Sequence, residues 1–252
     1  MKKTAKSSQR AAQRILAADP VMAALIEAAG PCRIDPGALR NPFESLVHAI
    51  AHQQLNGTAA GRILARFTAL FDGVIFPSPQ QLLEADAQQL RAAGFSFAKI
   101  AALKDLAAKT LAGVVPAALE LANLEDLEII ERLTAVRGIG RWTVEMMLIF
   151  QLQRPDVLPV DDFGVRNGFR LAYRLRGMPL PRALATFGER WKPYRSMAAW
   201  YLWRAVDLAR ADRLPRCARP PRIAVRAQPV RAATRPHVTR HPGTAKTRSP
   251  SQ

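Results

Sequence analysis

The chain has few cysteines and no long apolar run, and these two shortages exclude several classes of protein. Only Cys32 and Cys217 occur among its 252 residues, which is too few for a zinc site or an iron–sulfur cluster. We expect both to be free thiols in a reducing compartment, with Cys32 the more buried. No apolar stretch has transmembrane length and the N-terminus has no signal-peptide pattern, so we expect a cytoplasmic protein with no membrane partner.

Acidic residues are also scarce. The sequence has 20 Asp and Glu against 37 Lys and Arg, which gives a formal net charge of +17 and a pI near 11.2. Such an excess costs self-repulsion that a polyanion relieves, so the expected partner is a nucleic acid. The hydrophobic content of 49% is typical of a globular protein, and the length permits one domain or two lobes.

The two ends of the chain are basic. The segment 215–252 has no Asp or Glu and carries about half of the net charge. Its repeated prolines and its shortage of large apolar side chains argue against helices and a core, so we expect a disordered tail. This tail either has no role or tethers the protein to DNA in a salt-dependent way. Residues 1–10 are predicted to form a shorter basic arm.

Helix signals fill the rest of the chain, whereas strand alternation is scarce. At three places a capping side chain stands directly before a proline, which is typical of a helix start. These pairs are Asp19-Pro20, Asn41-Pro42 and Ser78-Pro79. Further helices are predicted over 56–71, 97–112, 124–135, 141–151, 163–176, 181–190 and 194–211. The predicted fold class is all-α, with roughly ten helices.

One segment combines closely spaced glycines with an acid. Residues 133–143 read Leu-Thr-Ala-Val-Arg-Gly-Ile-Gly-Arg-Trp-Thr, and Asp161 and Asp162 follow the next helix after a short loop. Gly138 and Gly140 allow backbone amides to approach a phosphate, and the helix that follows points its positive end at it. A phosphate clamp beside a carboxylate, with no second catalytic group, indicates an enzyme that stabilises developing positive charge.

Five blocks of the chain, in order, resemble the helix-hairpin-helix DNA glycosylases, and in particular the DNA-3-methyladenine glycosylase II family. The blocks are 43–55, 94–99, 133–143, 159–162 and 194–203. The resemblance implies a two-lobed helix-hairpin-helix fold with the active site in the cleft between the lobes. In this chain, 42–154 would form one helical lobe that ends in the hairpin, and 11–41 with 155–214 would form the other.

The resemblance implies a DNA repair glycosylase that flips an alkylated purine, such as 3-methyladenine, out of double-stranded DNA and hydrolyses its N-glycosylic bond. Asp162 would be catalytic, because a carboxylate beside C1′ stabilises oxocarbenium-like charge, orients a water, or does both. An Asp in this place also suits a helix N-cap, and the two roles are compatible. Asp161 is the alternative, since the doubled acid leaves the alignment ambiguous by one residue.

Three tryptophans are candidates for the base pocket. Trp142 stands where strand-nicking relatives have a lysine nucleophile, and an indole cannot form a Schiff base, so the resemblance implies a monofunctional hydrolase. Trp142 then forms an aromatic wall, which favours the polarised rings of alkylated purines, or it belongs to the core. Trp200 and Trp203 are further pocket candidates, although their spacing is also typical of helix packing.

The resemblance also implies two kinds of contact with DNA. At the turn after the helix that begins near 43, Leu55 would be the wedge that fills the space of the flipped nucleotide, with Gln54 beside it. The alternative is a leucine buried at a helix–helix turn. The hairpin amides of Gly138 and Gly140 would bind a phosphate, and the hairpin carbonyls could hold a monovalent cation.

Three basic side chains are weaker candidates for phosphate contacts, namely Arg137, Arg141 and Lys99, and the alternative is that they are simply solvated. His48 and His52 have a spacing that can bind a metal, but no third ligand is evident, so we expect no metal site. We expect no cofactor and a monomer. Two rival functions stay open: a glycosylase for another lesion, such as hypoxanthine, ethenoadenine or uracil, and a non-catalytic DNA-binding protein.

Overall fold

The structure is a computed structural model that describes residues 10–34 and 41–215. The described residues include Arg10 of the predicted arm and Pro215 of the predicted tail. The rest of the arm and of the tail lies outside them, as does Cys217.

The described residues form α-helices joined by turns and loops, with one 3-10 helix and no β-strand. The helices are α1 (10–16), α2 (Pro20–Ala29), α3 (Pro42–His52), α4 (Gly57–Thr68), α5 (Pro79–Glu84), α6 (Ala87–Ala93), α7 (Phe97–Leu111), α8 (Ala118–Asn123), α9 (Asp126–Thr134), α10 (Arg141–Phe150), α11 (Phe163–Ala172), α12 (Pro181–Gly188), the 3-10 helix Glu189–Trp191, and α13 (Arg195–Arg210). The all-α prediction is confirmed. None of these helices combines the length and the apolar composition that crossing a bilayer requires.

The three predicted helix starts are confirmed, each by a capping hydrogen bond. Asp19, Asn41 and Ser78 accept backbone N–H groups at the beginnings of α2, α3 and α5. Two predicted ends are wrong, because α4 stops at Thr68 rather than near 71 and α11 stops at Ala172 rather than near 176. Arg174 takes a left-handed backbone conformation with φ of 52°, which ends α11 without a glycine.

Buried side chains form two hydrophobic cores. The first collects residues from α3 to α10, between Phe43 and Val157. The second collects residues from α1, α2 and α11 to α13, between Leu16 and Leu25 and between Leu158 and Leu208. The chain therefore passes from the first lobe into the second at 157–158, close to the boundary predicted at 154–155.

Hydrogen bonds join the two lobes where the chain crosses. Ser196 Oγ on α13 donates to the Arg154 carbonyl at 2.6 Å and accepts from the Val157 N–H at 2.9 Å. Arg154 donates to the Leu124 carbonyl at 2.8 Å, near the end of α8. These contacts hold the C-terminal helix of the second lobe against the last helices of the first.

Within the second lobe, α11 lies unusually close to α13. A Cβ atom at Gly168 would lie 1.9 Å from the Leu202 carbonyl oxygen, so only a glycine permits this approach. The contact fixes the direction of α11, and its N-terminus is thereby presented to the first lobe.

Candidate active site

The hairpin between α9 and α10 exposes its glycines and buries its apolar residues. Val136 and Ile139 are buried, whereas Gly138 and Gly140 face solvent. Gly138 has φ of 78°, a backbone conformation that residues other than Gly rarely adopt. Burial of the two apolar side chains anchors the turn, so its outer face can meet a ligand without changing shape.

The N-terminus of α10 has no side-chain cap. Gly140 occupies the N-cap position without a side-chain hydrogen bond, and a Cβ built there would have no atom within 4 Å. The Thr143 N–H donates to the Gly140 carbonyl at 3.0 Å. The N–H groups of Arg141 and Trp142 are therefore the ones left for a ligand, and the helix dipole makes their environment positive. This is the geometry of an anion site at a helix N-terminus.

Two arginines flank these amides, and both are held by carboxylates. The backbone N–H of Arg137 donates to Asp105 Oδ2 at 2.7 Å, and Arg141 Nε donates to Glu145 Oε1 at 2.9 Å. Burial raises the pKa of Asp105, but hydrogen bonds from Arg137 and Lys109 outweigh it and leave that pKa below its ordinary value. Both arginines are exposed, so they stay predicted phosphate contacts.

Glu145 is a buried carboxylate, only 3% exposed. Burial raises its pKa, and the negative charges of Asp161 and Asp162 act in the same direction, against the hydrogen bond from Arg141. Glu145 is not among the site residues predicted from the sequence. Its position four residues after Arg141 on α10 was the available signal.

The α3–α4 turn stands next to the hairpin. Gln54 is exposed with φ of 59°, and Leu55 is 39% exposed, so Leu55 is not the buried leucine of the alternative interpretation. Gln53 Nε2 donates to the Gly138 carbonyl at 2.8 Å, and this residue was missed by sequence reasoning. The predicted wedge and the predicted phosphate clamp are thus joined by a direct hydrogen bond.

Lys99 points inward, to the end of α3. Its ammonium donates to the carbonyls of Ala51 at 2.8 Å and Gln53 at 2.9 Å, and burial lowers its pKa. In this position Lys99 supports the turn that carries Gln54 and Leu55. Its predicted phosphate contact would have to be made in addition to these two bonds.

Asp162 is the N-cap of α11, and three N–H groups donate to its carboxylate. Oδ1 accepts from Val165 N at 2.7 Å and from Trp203 Nε1 at 2.9 Å. Oδ2 accepts from Trp142 Nε1 at 2.8 Å. The neighbouring Asp161 is exposed and neither indole donates to it. Of the two candidate carboxylates, only Asp162 is therefore fixed in orientation.

Trp142, which donates to this carboxylate, also lines a cavity of about 560 Å³. The cavity lies between α3, the α3–α4 turn and α10, and Trp142, Met146 and Phe150 form part of its apolar lining, while His52 and Gln54 contribute polar groups. The volume is in the range of small-molecule sites. Trp142 is 50% exposed, so it is not a core residue, and it links the cavity wall to Asp162.

The other two tryptophans lie elsewhere. Trp203 is not part of the cavity lining; it stacks on Phe150 with 5.7 Å between ring centroids and donates to Asp162. Trp200 packs against the second core, with Arg204 over its ring at 5.4 Å. The structure thus brings Trp142 and Trp203 to Asp162 but does not bring Trp200 to this cavity.

Within the described ranges, no group of three or more His, Cys, Asp or Glu side chains is arranged to hold a metal ion. His52 Nδ1 lies 2.9 Å from the His48 carbonyl oxygen. Of the hairpin carbonyls proposed for a monovalent cation, that of Ala135 accepts from Lys109 and that of Gly138 accepts from Gln53. A cation there would use the remaining lone pairs, and it stays a prediction.

Comparison with known proteins agrees with this geometry. A family model described as HhH-GPD superfamily base excision DNA repair protein matches residues 47–193. DNA-3-methyladenine glycosylase 1 of Schizosaccharomyces pombe is 44% identical over 170 residues, which cover 68% of this chain and 75% of that protein.

Two solved structures are also similar. One is the Schizosaccharomyces pombe 3-methyladenine DNA glycosylase Mag1 in complex with abasic DNA, with a TM-score of 0.70 and 40% identity, covering 79% of this chain and 97% of that one. The other is a DNA-3-methyladenine glycosidase from Bacillus halodurans, with a TM-score of 0.71 and 36% identity, covering 79% and 89%. The chain belongs to the HhH-GPD superfamily of base excision DNA repair proteins, and within it to the 3-methyladenine DNA glycosylases.

Proposed function

We propose that this protein is a monofunctional DNA glycosylase that excises alkylated purines, such as 3-methyladenine, from double-stranded DNA and leaves an abasic site. The observation that carries the proposal is the Asp162 carboxylate, held by two indole N–H groups, one of which belongs to Trp142 in the wall of the cavity. The relatives support the substrate class, since the similar proteins bear the names of 3-methyladenine glycosylases.

DNA binding begins at the hairpin. The open amides at the start of α10 take a backbone phosphate, and the exposed side chains of Gln54 and Leu55 enter the stack as the damaged nucleotide leaves it. Gln53 holds that turn against the hairpin. The flipped base then enters the cavity between α3 and α10, with Trp142 against its ring.

The chemical step needs a stabilised positive charge more than a strong acid. The C1′–N bond breaks with its electron pair going to the base, which neutralises the positive ring of an alkylated purine. Asp162 faces the oxocarbenium-like sugar and stabilises its charge. A water oxygen then bonds to C1′ and releases its proton to solvent. Because the leaving group is already activated, one carboxylate suffices.

Strand nicking would require an amine nucleophile at C1′. The position next to Asp162 is taken by Trp142, whose indole N–H is a donor only. We therefore propose simple hydrolysis, with no protein–DNA adduct trapped by borohydride. We propose that the reaction uses no cofactor and that any monovalent cation at the hairpin serves phosphate binding alone. We further propose that the protein acts as a monomer in a bacterial-type cytoplasm, associated with the nucleoid.

The test is release of free bases from methylated duplex DNA by the purified protein, resolved by chromatography. Asp162→Asn should reduce release by more than about a hundredfold while abasic-site DNA is still bound. Asp161→Asn should retain turnover, and the reverse result would move the catalytic assignment to Asp161. If only deaminated or oxidised bases were released, the protein would be a glycosylase for another class of lesion. If no base were released, the proposal that the protein is a glycosylase would be refuted.

A further inference from the structure

The carboxylate of Asp162 is held from both lobes at once. Trp142, which donates to Oδ2, lies on α10 of the first lobe. Trp203 and the Val165 N–H, which donate to Oδ1, belong to the second lobe. The orientation of this one side chain therefore depends on how the two lobes meet.

The three donors occupy most of the hydrogen-bonding capacity of the Asp162 carboxylate. Its two oxygens offer about four lone-pair positions, and the three N–H groups fill both positions on Oδ1 and one on Oδ2. One position remains, on Oδ2. The side chain therefore presents a single oxygen to a sugar or a water, and it cannot rotate without losing at least one donor.

Trp203 is itself fixed in place. Its ring stacks on Phe150 of the first lobe at an interplanar angle of 26°, and its side chain packs against both hydrophobic cores. Gly164 leaves room for it, because a Cβ at Gly164 would lie 2.8 Å from Trp203 Cδ1, 3.0 Å from Nε1 and 3.1 Å from Asp162 Oδ1. A glycine at this helix position is explained by the indole–carboxylate contact.

We propose that Trp203 is a positioning residue for the glycosylase reaction. Its N–H saturates Asp162 Oδ1, so that Oδ2 alone faces the flipped nucleotide, and Gly164 is required for that contact. This role differs from the base-pocket wall that the sequence predicts for Trp203. The proposal rests on the proposed function.

The first experiment is Trp203→Phe, which removes the N–H and keeps an aromatic ring against Phe150. The single-turnover rate of base release should fall about tenfold, as expected when a hydrogen bond to a charged group is lost, whereas the Kd for abasic-site DNA should change less than about twofold. Trp191→Phe is the matched control. Trp191 is buried in the same lobe, and its Nε1 has no hydrogen-bond partner among the described residues, so the release rate per folded molecule should be unchanged.

A second variant tests the same contact between Trp203 and Asp162 by a steric change. The Cβ of Gly164→Ala would displace the Trp203 indole without removing its N–H, and base release should again slow about tenfold. If both substitutions break one contact, the double variant should be no slower than the slower single variant. Multiplicative losses in the double variant would overturn the proposal.

Two further outcomes separate this proposal from the proposed function. A native release rate in Trp203→Phe, with the native protein active, would overturn the positioning role alone. The positioning role would also be overturned if Trp203→Phe released base slowly only because less of it is folded, as its thermal unfolding would show, and if Trp191→Phe lost the same rate. No base release by the native protein would instead refute the proposed function.

Discussion

Two helices bring their N-termini to the candidate active site, and they treat the same backbone groups in opposite ways. At the start of α10, Gly140 provides no side chain, and the N–H groups of Arg141 and Trp142 stay open. At the start of α11, the Asp162 carboxylate accepts the Val165 N–H and receives two indole N–H groups in addition. One helix end offers positive charge to a ligand, while the other offers a fixed negative charge.

The difference shows how one structural element can serve two parts of a reaction on DNA. Every helix begins with unpaired N–H groups, and the residue at the N-cap decides the sign of the charge that a ligand meets there. An open end binds the anionic backbone, whereas a capped end holds an anion that can stabilise a cationic sugar. Three substitutions alter this contrast, each with a second variant for comparison, and they are ordered by the size of their expected effects.

The largest effect should come from displacing the capped helix as a whole. Gly168→Ala would place a Cβ 1.9 Å from the Leu202 carbonyl oxygen, so α11 must move away from α13. We expect a loss of about 3 kcal/mol in the free energy of unfolding, equivalent to a Tm lower by about 10 °C in a chain of this size. Differential scanning calorimetry measures it.

The control for this substitution is Gly61→Ala. Gly61 lies within α4 and a Cβ there would have no neighbour within 4 Å, so the change should stabilise the helix by about 0.5–1 kcal/mol. Equal Tm values for the Gly168 and Gly61 variants would mean that α11 and α13 are not in close contact.

A smaller effect is expected when an Asp, the N-cap residue of α11, is placed at the N-cap position of α10. Gly140 has φ of −95° and ψ of 165°, which any residue can adopt, so Gly140→Asp should fold and change stability by only a few tenths of a kcal/mol. Its carboxylate would occupy the phosphate site. We expect the Kd for duplex DNA to rise about 10- to 100-fold at fixed salt concentration, measured by fluorescence anisotropy.

Gly140→Asn separates charge from shape, because Asn caps a helix equally well without the negative charge. It should weaken DNA binding less than Gly140→Asp does. If all three proteins bound DNA equally, the start of α10 would not be a phosphate site.

The smallest effect concerns the buried carboxylate beneath the open helix end. Burial raises the pKa of Glu145 in the folded protein, so the stability that its protonated form contributes is lost as pH rises through that raised pKa. Glu145→Gln does not titrate. Its free energy of unfolding, relative to the native protein, should therefore increase as pH rises from the ordinary pKa of a Glu through the raised pKa of Glu145, as measured by urea denaturation.

Asp105 should show the opposite trend. Its pKa lies below the ordinary value, so its contribution is present at neutral pH and is lost as pH falls through the lowered pKa. Asp105→Asn should accordingly be less stable than the native protein at neutral pH, with the difference shrinking in acid. If the stability difference changed with pH in the same direction in both variants, the pKa values of Glu145 and Asp105 would not be shifted in opposite directions.

Local signals predicted most of the fold, and the misses have physical causes. Helices that begin with a side-chain cap before a proline were found, because the signal lies within a few residues. The short helix α8 was not, since Ala117 at its N-cap makes no side-chain hydrogen bond. α6 was also missed, although Asp86 caps it; at seven residues it is too short for a clear periodic pattern.

The candidate site was predictable in its residues more than in their roles. Asp162 followed from the motif, but its donors did not, because Trp142 and Trp203 meet it only in the folded chain. One signal was overlooked: Gly164 and Gly168 stand four residues apart and therefore share a face of α11. That spacing predicts a close neighbour, which the structure identifies as α13.

The hydrogen bond from Gln53 to the Gly138 carbonyl has a consequence for how damage is found. If the α3–α4 turn enters the duplex and the hairpin binds a phosphate, as proposed, this hydrogen bond keeps the two contacts close to one separation along the DNA. We therefore expect DNA that bends easily to meet both contacts at a lower energetic cost than stiff, well-stacked DNA.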